Sequence, residues 1–353
     1  LFGGWLADRF GARLVLATCC VIAAISTVLT GLTGGFISLI AARIALGFGE
    51  GPAFPTATRA MSAWTPAEKW GFAQGITHSC ARIGNALTPP LVAGILIFAS
   101  WRTSFILLGS ITFLWSLAWL FYFRDDPKTH KSISAGDLAR LPKPAVKEKT
   151  KRKVPYLRLA RHILPVTMVD FCYGWTLWLF LSWIPTFFFE NYGLNLRDTA
   201  LFSAGVLFAG VIGDTLGGIL SDSILRRTGS LLIARRSVLV LGFSGAALFL
   251  IPVILIPDLT VSAICLSLAF FFAELIVAPI WAVPMDIAPR YAGSASGMMN
   301  FGFGLAGLVS PASFGYFVDL TGSWVMPFIG SILLLLIGAI LAARLRPDRQ
   351  FTG

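Results

Sequence analysis

The sequence predicts an all-α polytopic membrane protein, and three observations carry that prediction. Of its 353 residues, 56% are hydrophobic and only 13% charged, with a mean hydropathy of +0.78. A soluble domain carries about 25% charged residues, so this chain has too little polar surface to stay in water. The apolar residues also fall into runs of about 20 or more, the length that crosses the hydrocarbon of a bilayer. Finally, Lys and Arg gather in alternate connecting segments, as they do in membrane proteins with a fixed orientation. The same composition excludes disordered, collagen-like and disulfide-scaffold chains.

Ten complete spans follow in order: Leu14–Leu32, Ile37–Trp64, Phe72–Ala99, Thr103–Phe123, Ile163–Phe189, Thr199–Leu220, Leu231–Ile256, Leu259–Asp286, Tyr291–Val318 and Val325–Ala343. Ahead of them, Leu1–Ala7 is an apolar stub without a start methionine. It reads as the last turns of an eleventh helix, so an N-terminally truncated fold of ten complete helices plus a stub is expected. Putting Asp8–Arg13 inside the cell leaves only Arg102 and Arg197 outside. The segment Arg124–Arg161 alone holds 12 Lys or Arg against four acids, and it contains Pro127, Pro142, Pro144 and Pro155. It divides the chain into residues 1–124 (a truncated N-terminal bundle), 125–161 (a basic cytoplasmic linker) and 162–353 (a six-helix bundle), with the C-terminus also cytoplasmic. The net charge of +11 therefore reports topology. A nucleic-acid partner would need a folded basic face, and none is expected. Cys19, Cys20, Cys80, Cys172 and Cys265 all sit in apolar runs without metal-ligand spacing, so they read as packing residues, with no metal and no cofactor.

A repeat spans the linker. Gly4-x-x-x-Asp8-Arg9-x-Gly11-x-Arg13 follows the stub, and Gly218-x-x-x-Asp222, then Arg226, Arg227 and Gly229, follows the sixth span. Each is expected in a cytoplasmic turn after the second helix of its half.

These turns resemble the signature between helices 2 and 3 of the major facilitator superfamily. Further motifs are similar to its anion:cation symporter branch of hexuronate, aldonate and tartrate carriers. They are Arg43-x-x-x-Gly47-x-Gly49-Glu50-Gly51-x-x-Phe54-Pro55, Trp64-x-Pro66-x-Glu68-Lys69, Arg124-Asp125-Asp126-Pro127, Trp183-Ile184-Pro185-Thr186 and Gly293-x-x-Ser296-Gly297-x-x-Asn300. The resemblance covers essentially the whole chain and implies a two-bundle carrier whose central site opens alternately to each side. It also implies that Trp281 and Asn300 contact substrate, and that the Asp8–Arg9 turn, with Arg13 and its second copy at Asp222, is a conformational latch. Cys80 stands where aldonate carriers have a glutamine, so an organic anion is implied more firmly than an aldonate.

Ionisable residues inside spans cost about 2.5–3.5 kcal/mol on insertion scales and are candidates by default. Arg43 and Glu50 lie seven residues apart, within about 20° of one helix face and roughly 10.5 Å along the axis. That spacing lets Arg43 attract an anion while Glu50 takes or releases a proton; a structural charge network is the alternative. His78, Arg82 and Asn85 share a stripe. Arg82 either receives a carboxylate or pairs with an acid such as Asp170 or Glu274, and His78 is a ligand or a hydrogen-bonded structural residue. Asp170, expected to open the fifth span, is a second proton-coupling candidate, with Tyr173 beyond it either a substrate contact or a packing residue of the bundle. Asp214, in the small-residue run Gly213–Gly218, reads as structural. Gly302-x-Gly304-x-x-Gly307 has dinucleotide-binding spacing but lies in an apolar helix with no preceding strand, so it reads as helix packing. No catalytic constellation is present, and an enzyme is not expected.

The function expected is proton-coupled symport of a small carboxylated organic anion by a monomeric carrier in a bacterial inner membrane. Exchange of an organophosphate for phosphate, or a transporter-like membrane sensor, are the alternatives.

Overall fold

The computed structural model describes residues 2–142 and 155–351, apart from the side chains of residues 89, 90, 93 and 196. Part of the expected linker, including Pro144 and most of its lysines, lies outside the described residues. Among the described residues fourteen α-helices follow one another: α1 (Phe2–Phe10), α2 (Ala12–Leu32), α3 (Phe36–Glu50), α4 (Ala53–Trp64), α5 (Trp70–Phe98), α6 (Trp101–Tyr122), α7 (Ala135–Arg140), α8 (Tyr156–Tyr192), α9 (Leu196–Thr228), α10 (Leu231–Leu255), α11 (Leu259–Leu275), α12 (Val277–Ile287), α13 (Ala292–Thr321) and α14 (Val325–Arg344). Among the described residues, nine stretches are long and apolar enough to cross a bilayer. The remaining predicted span is α5, helical over 29 residues, roughly 43 Å at the α-helical rise. Many large apolar side chains point outward, Leu114, Leu308 and Phe208 among them, which suits a surface solvated by lipid. The protein is a multi-pass membrane protein.

Two expected single spans are interrupted. Ile37–Trp64 becomes α3 and α4, because Pro52 and Pro55 lack the N–H groups that would continue the ladder. Leu259–Asp286 becomes α11 and α12. There the Ile276 amide reaches back to Ala273 in a tight turn ahead of Pro279, which cannot donate to Leu275.

Two further expectations about helix ends are corrected. Asp170 does not open its helix: α8 begins at Tyr156 and runs 37 residues, so Asp170 lies well inside it. Asp222 does not lie in a turn either, since α9 continues to Thr228 with Arg226 and Arg227 in its last turn. Cations are favourable at the negative end of a helix, so α9 persists beyond its apolar stretch. Asp8 and Arg9 likewise lie on α1, and the turn is Gly11, at φ 90°.

The helices form two compact units. One comprises residues 2–67, 87–142 and 288–297; the other comprises residues 68–86, 155–287 and 298–351. In the second unit, α8 and α13 are joined along their lengths. The Thr167 and Ser310 hydroxyls donate to the carbonyls of Met298 and Trp175, and the Trp183 indole donates to that of Pro311. In the same unit, Gly210, Gly213 and Gly217 of α9 lie against α11 at Phe270, Phe271, Glu274 and Leu275. Small residues let backbones approach where lipid supplies no hydrophobic drive between helices.

Candidate functional site

Four of the predicted substrate residues meet in the second unit. His78 and Arg82 stand one turn apart on α5. The His78 ring lies 5.1 Å from the Trp281 ring of α12. Arg82 turns to α8 and α11: its Nη2 donates to the Tyr173 hydroxyl at 3.1 Å and its Nε to Glu274 Oε2 at 3.1 Å. Tyr173 in turn donates to Glu274 Oε1 at 3.1 Å. Arginine, phenol and carboxylate thus close a ring of charge-assisted hydrogen bonds. Asp214 of α9 completes the group, with Oδ2 3.9 Å from Arg82 Nε. The Glu274 and Asp214 side chains are fully buried, and that of Arg82 is 11% exposed. Of the two roles open to Arg82 from the sequence, pairing with Glu274 is the one observed. Glu274 and Asp214 were not singled out as functional, and the signal was available: two acids in apolar runs, each costly unless paired.

Asp170 lies one turn before Tyr173 on α8, fully buried, and neither of its oxygens has a hydrogen-bond partner among the described residues. Asn300 is half-buried on α13. Asn85, further along α5, is exposed.

Arg43 and Glu50 belong to the other unit. Both are exposed on α3, and Arg43 lies over the Phe105 ring at 5.3 Å. No ion pair joins them among the described residues, in keeping with the roughly 10.5 Å axial spacing of positions seven apart.

Asp8 accepts from the backbone amides of Gly293 and Ser294 at 3.1 and 2.7 Å and from the Ser294 hydroxyl at 2.7 Å. It therefore caps the first turn of α13, where unpaired N–H groups and the helix dipole favour a carboxylate. Its cation is Arg59, at 3.4 Å. Arg9 instead lies over Trp5 and Phe10, and the Arg13 guanidinium donates to the Leu120 carbonyl. The sequence leaves the cation of Asp8 open. Arg59 takes that place because it extends from α4 in the same unit and meets the carboxylate that α1 presents. Burial pushes the Asp8 carboxyl above its ordinary range, against the opposing pull of Ser294, Arg59 and Gly293.

Gly11 and Asp125 link two of the quoted motifs. The Arg13 amide donates to Asp125 Oδ1 at 3.0 Å, and a Cβ on Gly11 would overlap that carboxylate. Gly11 also holds a positive φ that other residues adopt only with strain. Nearby, the Trp64 indole donates to the Arg124 carbonyl at 2.8 Å.

Asp222 repeats the arrangement of Asp8 in the second unit. It accepts from the amides of Gly71 and Phe72 at 3.1 and 2.7 Å, in the first turn of α5. Arg235 of α10, fully buried, bridges Asp222 at 3.1 Å and Asp286 at 2.8 Å and donates to the Ser221 hydroxyl. Arg59, Arg235 and Asp286 were not identified from sequence as members of these networks, because their partners lie on other helices.

The sequence model of the Major Facilitator Superfamily matches residues 1–311. The chain is similar to a probable sulfoacetate transporter of Cupriavidus necator, 47% identical over 98% of this chain and 81% of that one. It is also similar to the hexuronate transporter of Bacillus subtilis, 30% identical over 94% of this chain and 77% of that one. Among solved structures, a doubly tryptophan-substituted XylE aligns with a TM-score of 0.77 at 17% identity, covering 99% and 83% of the two chains. The human organic anion transporter MFSD10 aligns at 0.70 and 16% identity, covering 96% and 79%. These two likenesses concern the fold alone.

Proposed function

The chain belongs to the Major Facilitator Superfamily, and from that premise we propose that it is a proton-coupled symporter bringing a small organic anion into the cell by alternating access. It is a transporter and not an enzyme. The observation that carries the reading is Arg82, a guanidinium kept deep in an apolar bundle by Glu274 and Tyr173. A fixed positive charge inside a membrane protein is costly unless it is paired or used, and a guanidinium fork matches carboxylate and sulfonate oxygens.

Arg82, Tyr173, His78 and Trp281 receive the anion, with Asn300 as a further contact in the same unit, and Arg43 in the other unit attracts it. Glu50 and Asp170 take the coupled proton. Asp8, Arg9, Arg13 and Asp222 form the conformational latch, acting through the caps on α13 and α5. The similarity to a probable sulfoacetate transporter supports a short substrate with acidic groups at both ends, and the hexuronate relative supports a carboxylate as one of them. The protein works as a monomer in a bacterial inner membrane, with the linker and C-terminus cytoplasmic.

The test is uptake of labelled sulfoacetate, glucarate and a hexuronate into proteoliposomes holding the full chain, with an acid-outside gradient. Accumulation that a protonophore abolishes is the expected result. Uptake driven by internal phosphate and indifferent to the protonophore would replace symport by exchange. Binding without flux would make the protein a sensor.

A further inference from the structure

Three helices of the second unit bring one cation and two buried acids together. The charge count is uneven: Arg82 contributes one positive charge, while Glu274 and Asp214 contribute two negative charges if both are ionised. Both carboxylates approach the same Nε, at 3.1 and 3.9 Å. Like charges sharing a buried site do not both ionise readily, and an uncompensated charge in low dielectric is costly.

Hydrogen bonding separates the two acids. Glu274 is served on both oxygens, by Arg82 on Oε2 and by the Tyr173 hydroxyl on Oε1. That is the environment of an ionised carboxylate. Asp214, fully buried, has no donor group hydrogen-bonded to either oxygen among the described residues, and its close carboxyl partner is Glu274 itself. A carboxylate is acceptor-only, whereas a protonated carboxyl carries its own donor and no net charge. The remaining neighbours do not alter the count. On α5, besides the exposed Cys80, the other titratable group is His78, one turn from Arg82 and packed on Trp281. On α8 it is Tyr173, with Asp170 one turn earlier, itself without a hydrogen-bond donor among the described residues.

We propose that Asp214 and Glu274 form a proton-holding pair around Arg82, with one proton resident on Asp214 in this conformation. Arg82 and Glu274 then cancel, and the group is neutral. This goes beyond the function proposed above: it is a property of the resting protein, and it holds whether or not transport is coupled to protons. Tyr173 has a defined part in it, since its hydroxyl accepts from Arg82 and donates to Glu274 and so keeps Glu274 the charged member.

Infrared spectroscopy of the full chain in nanodiscs at neutral pH tests the proposal through the stretching band of protonated carboxyl groups. Subtracting the Asp214→Asn spectrum from that of the parent protein is expected to leave one such band. Asp170 contributes equally to both samples and cancels. Glu274→Gln provides a second and opposite handle. With Glu274 neutral, Asp214 becomes the counter-ion of Arg82 and releases its proton, so the same band is expected to vanish although Asp214 is present. Size-exclusion profiles and melting curves report whether each variant folds, and if Asp214→Asn does not, Glu274→Gln alone decides the question. A band unchanged in the folded variants would overturn the proposal, whatever the uptake assay returns.

Discussion

Asp8 and Asp222 do the same work in separate units. Each stands four residues after a glycine and accepts two backbone amides from the first turn of another helix, Gly293 and Ser294 for Asp8 and Gly71 and Phe72 for Asp222. Each is also paired with an arginine from a third helix, Arg59 or Arg235. Replacing a capping acid by alanine costs about 0.5–2 kcal/mol. Asp8→Ala and Asp222→Ala are therefore each expected to lower the melting temperature, with the larger fall for Asp222, whose loss also removes one of the two acids paired with the fully buried Arg235. Equal effects in scanning fluorimetry would count against that ranking.

The glycines four residues earlier are set by contact. A Cβ on Gly4 would overlap the Gly293 carbonyl oxygen, and one on Gly218 would overlap that of Gly71. Gly4→Ala and Gly218→Ala are expected to separate these helices and weaken both caps. Gly304→Ala and Gly330→Ala meet nothing within 4 Å and gain about 1 kcal/mol of helix propensity each. Thermal stability should fall in the first pair and hold or rise in the second.

Asp8 also predicts a pH dependence. Its carboxyl is raised above the ordinary range, chiefly by burial, so folding favours its protonated form. The stability it adds on that account is present in full below the ordinary carboxylate range and is lost as pH rises through the raised value. Asp8→Asn removes the titration. The melting temperature of the parent protein relative to Asp8→Asn should decline with rising pH across that window. A constant difference would show that Asp8 does not titrate there.

Arg82 separates charge from geometry. Lysine keeps the charge but lacks the fork that reaches Glu274 and Tyr173 together. Arg82→Lys should fold and lose anion uptake, whereas Arg82→Ala leaves Glu274 buried without its cation, a change that costs about 3–5 kcal/mol for a buried pair. Uptake by Arg82→Lys at the parental rate would remove Arg82 from the substrate site.

Glu50→Gln distinguishes coupling from binding. If Glu50 carries the transported proton, accumulation driven by a proton gradient disappears while counterflow of labelled for unlabelled anion persists. Gradient-driven accumulation that survives would assign coupling elsewhere, with Asp170 the next candidate.

The sequence by itself determined the solvent, most of the spans and the repeat, because these follow from local quantities. Apolar run length measures bilayer thickness, and Gly-x-x-x-Asp spacing is visible without a fold. Nine of the ten spans return as membrane-length stretches among the described residues, and α5 supplies the other as a continuous helix. Helix ends were less legible: α9 outlasts its apolar stretch because its closing arginines suit the helix dipole, and α8 starts well before its apolar core. Only the tertiary structure decided who partners whom. Arg82 could be offered to a substrate or held by an acid, and its spacing on α5 is the same in both cases. Glu274 lies on a helix far along the chain, and only packing brings its carboxylate to the guanidinium. Asp8 found Arg59 rather than its sequence neighbour Arg9 for the same reason. Charge pairing acts over a few ångströms of space and takes no account of separation along the chain.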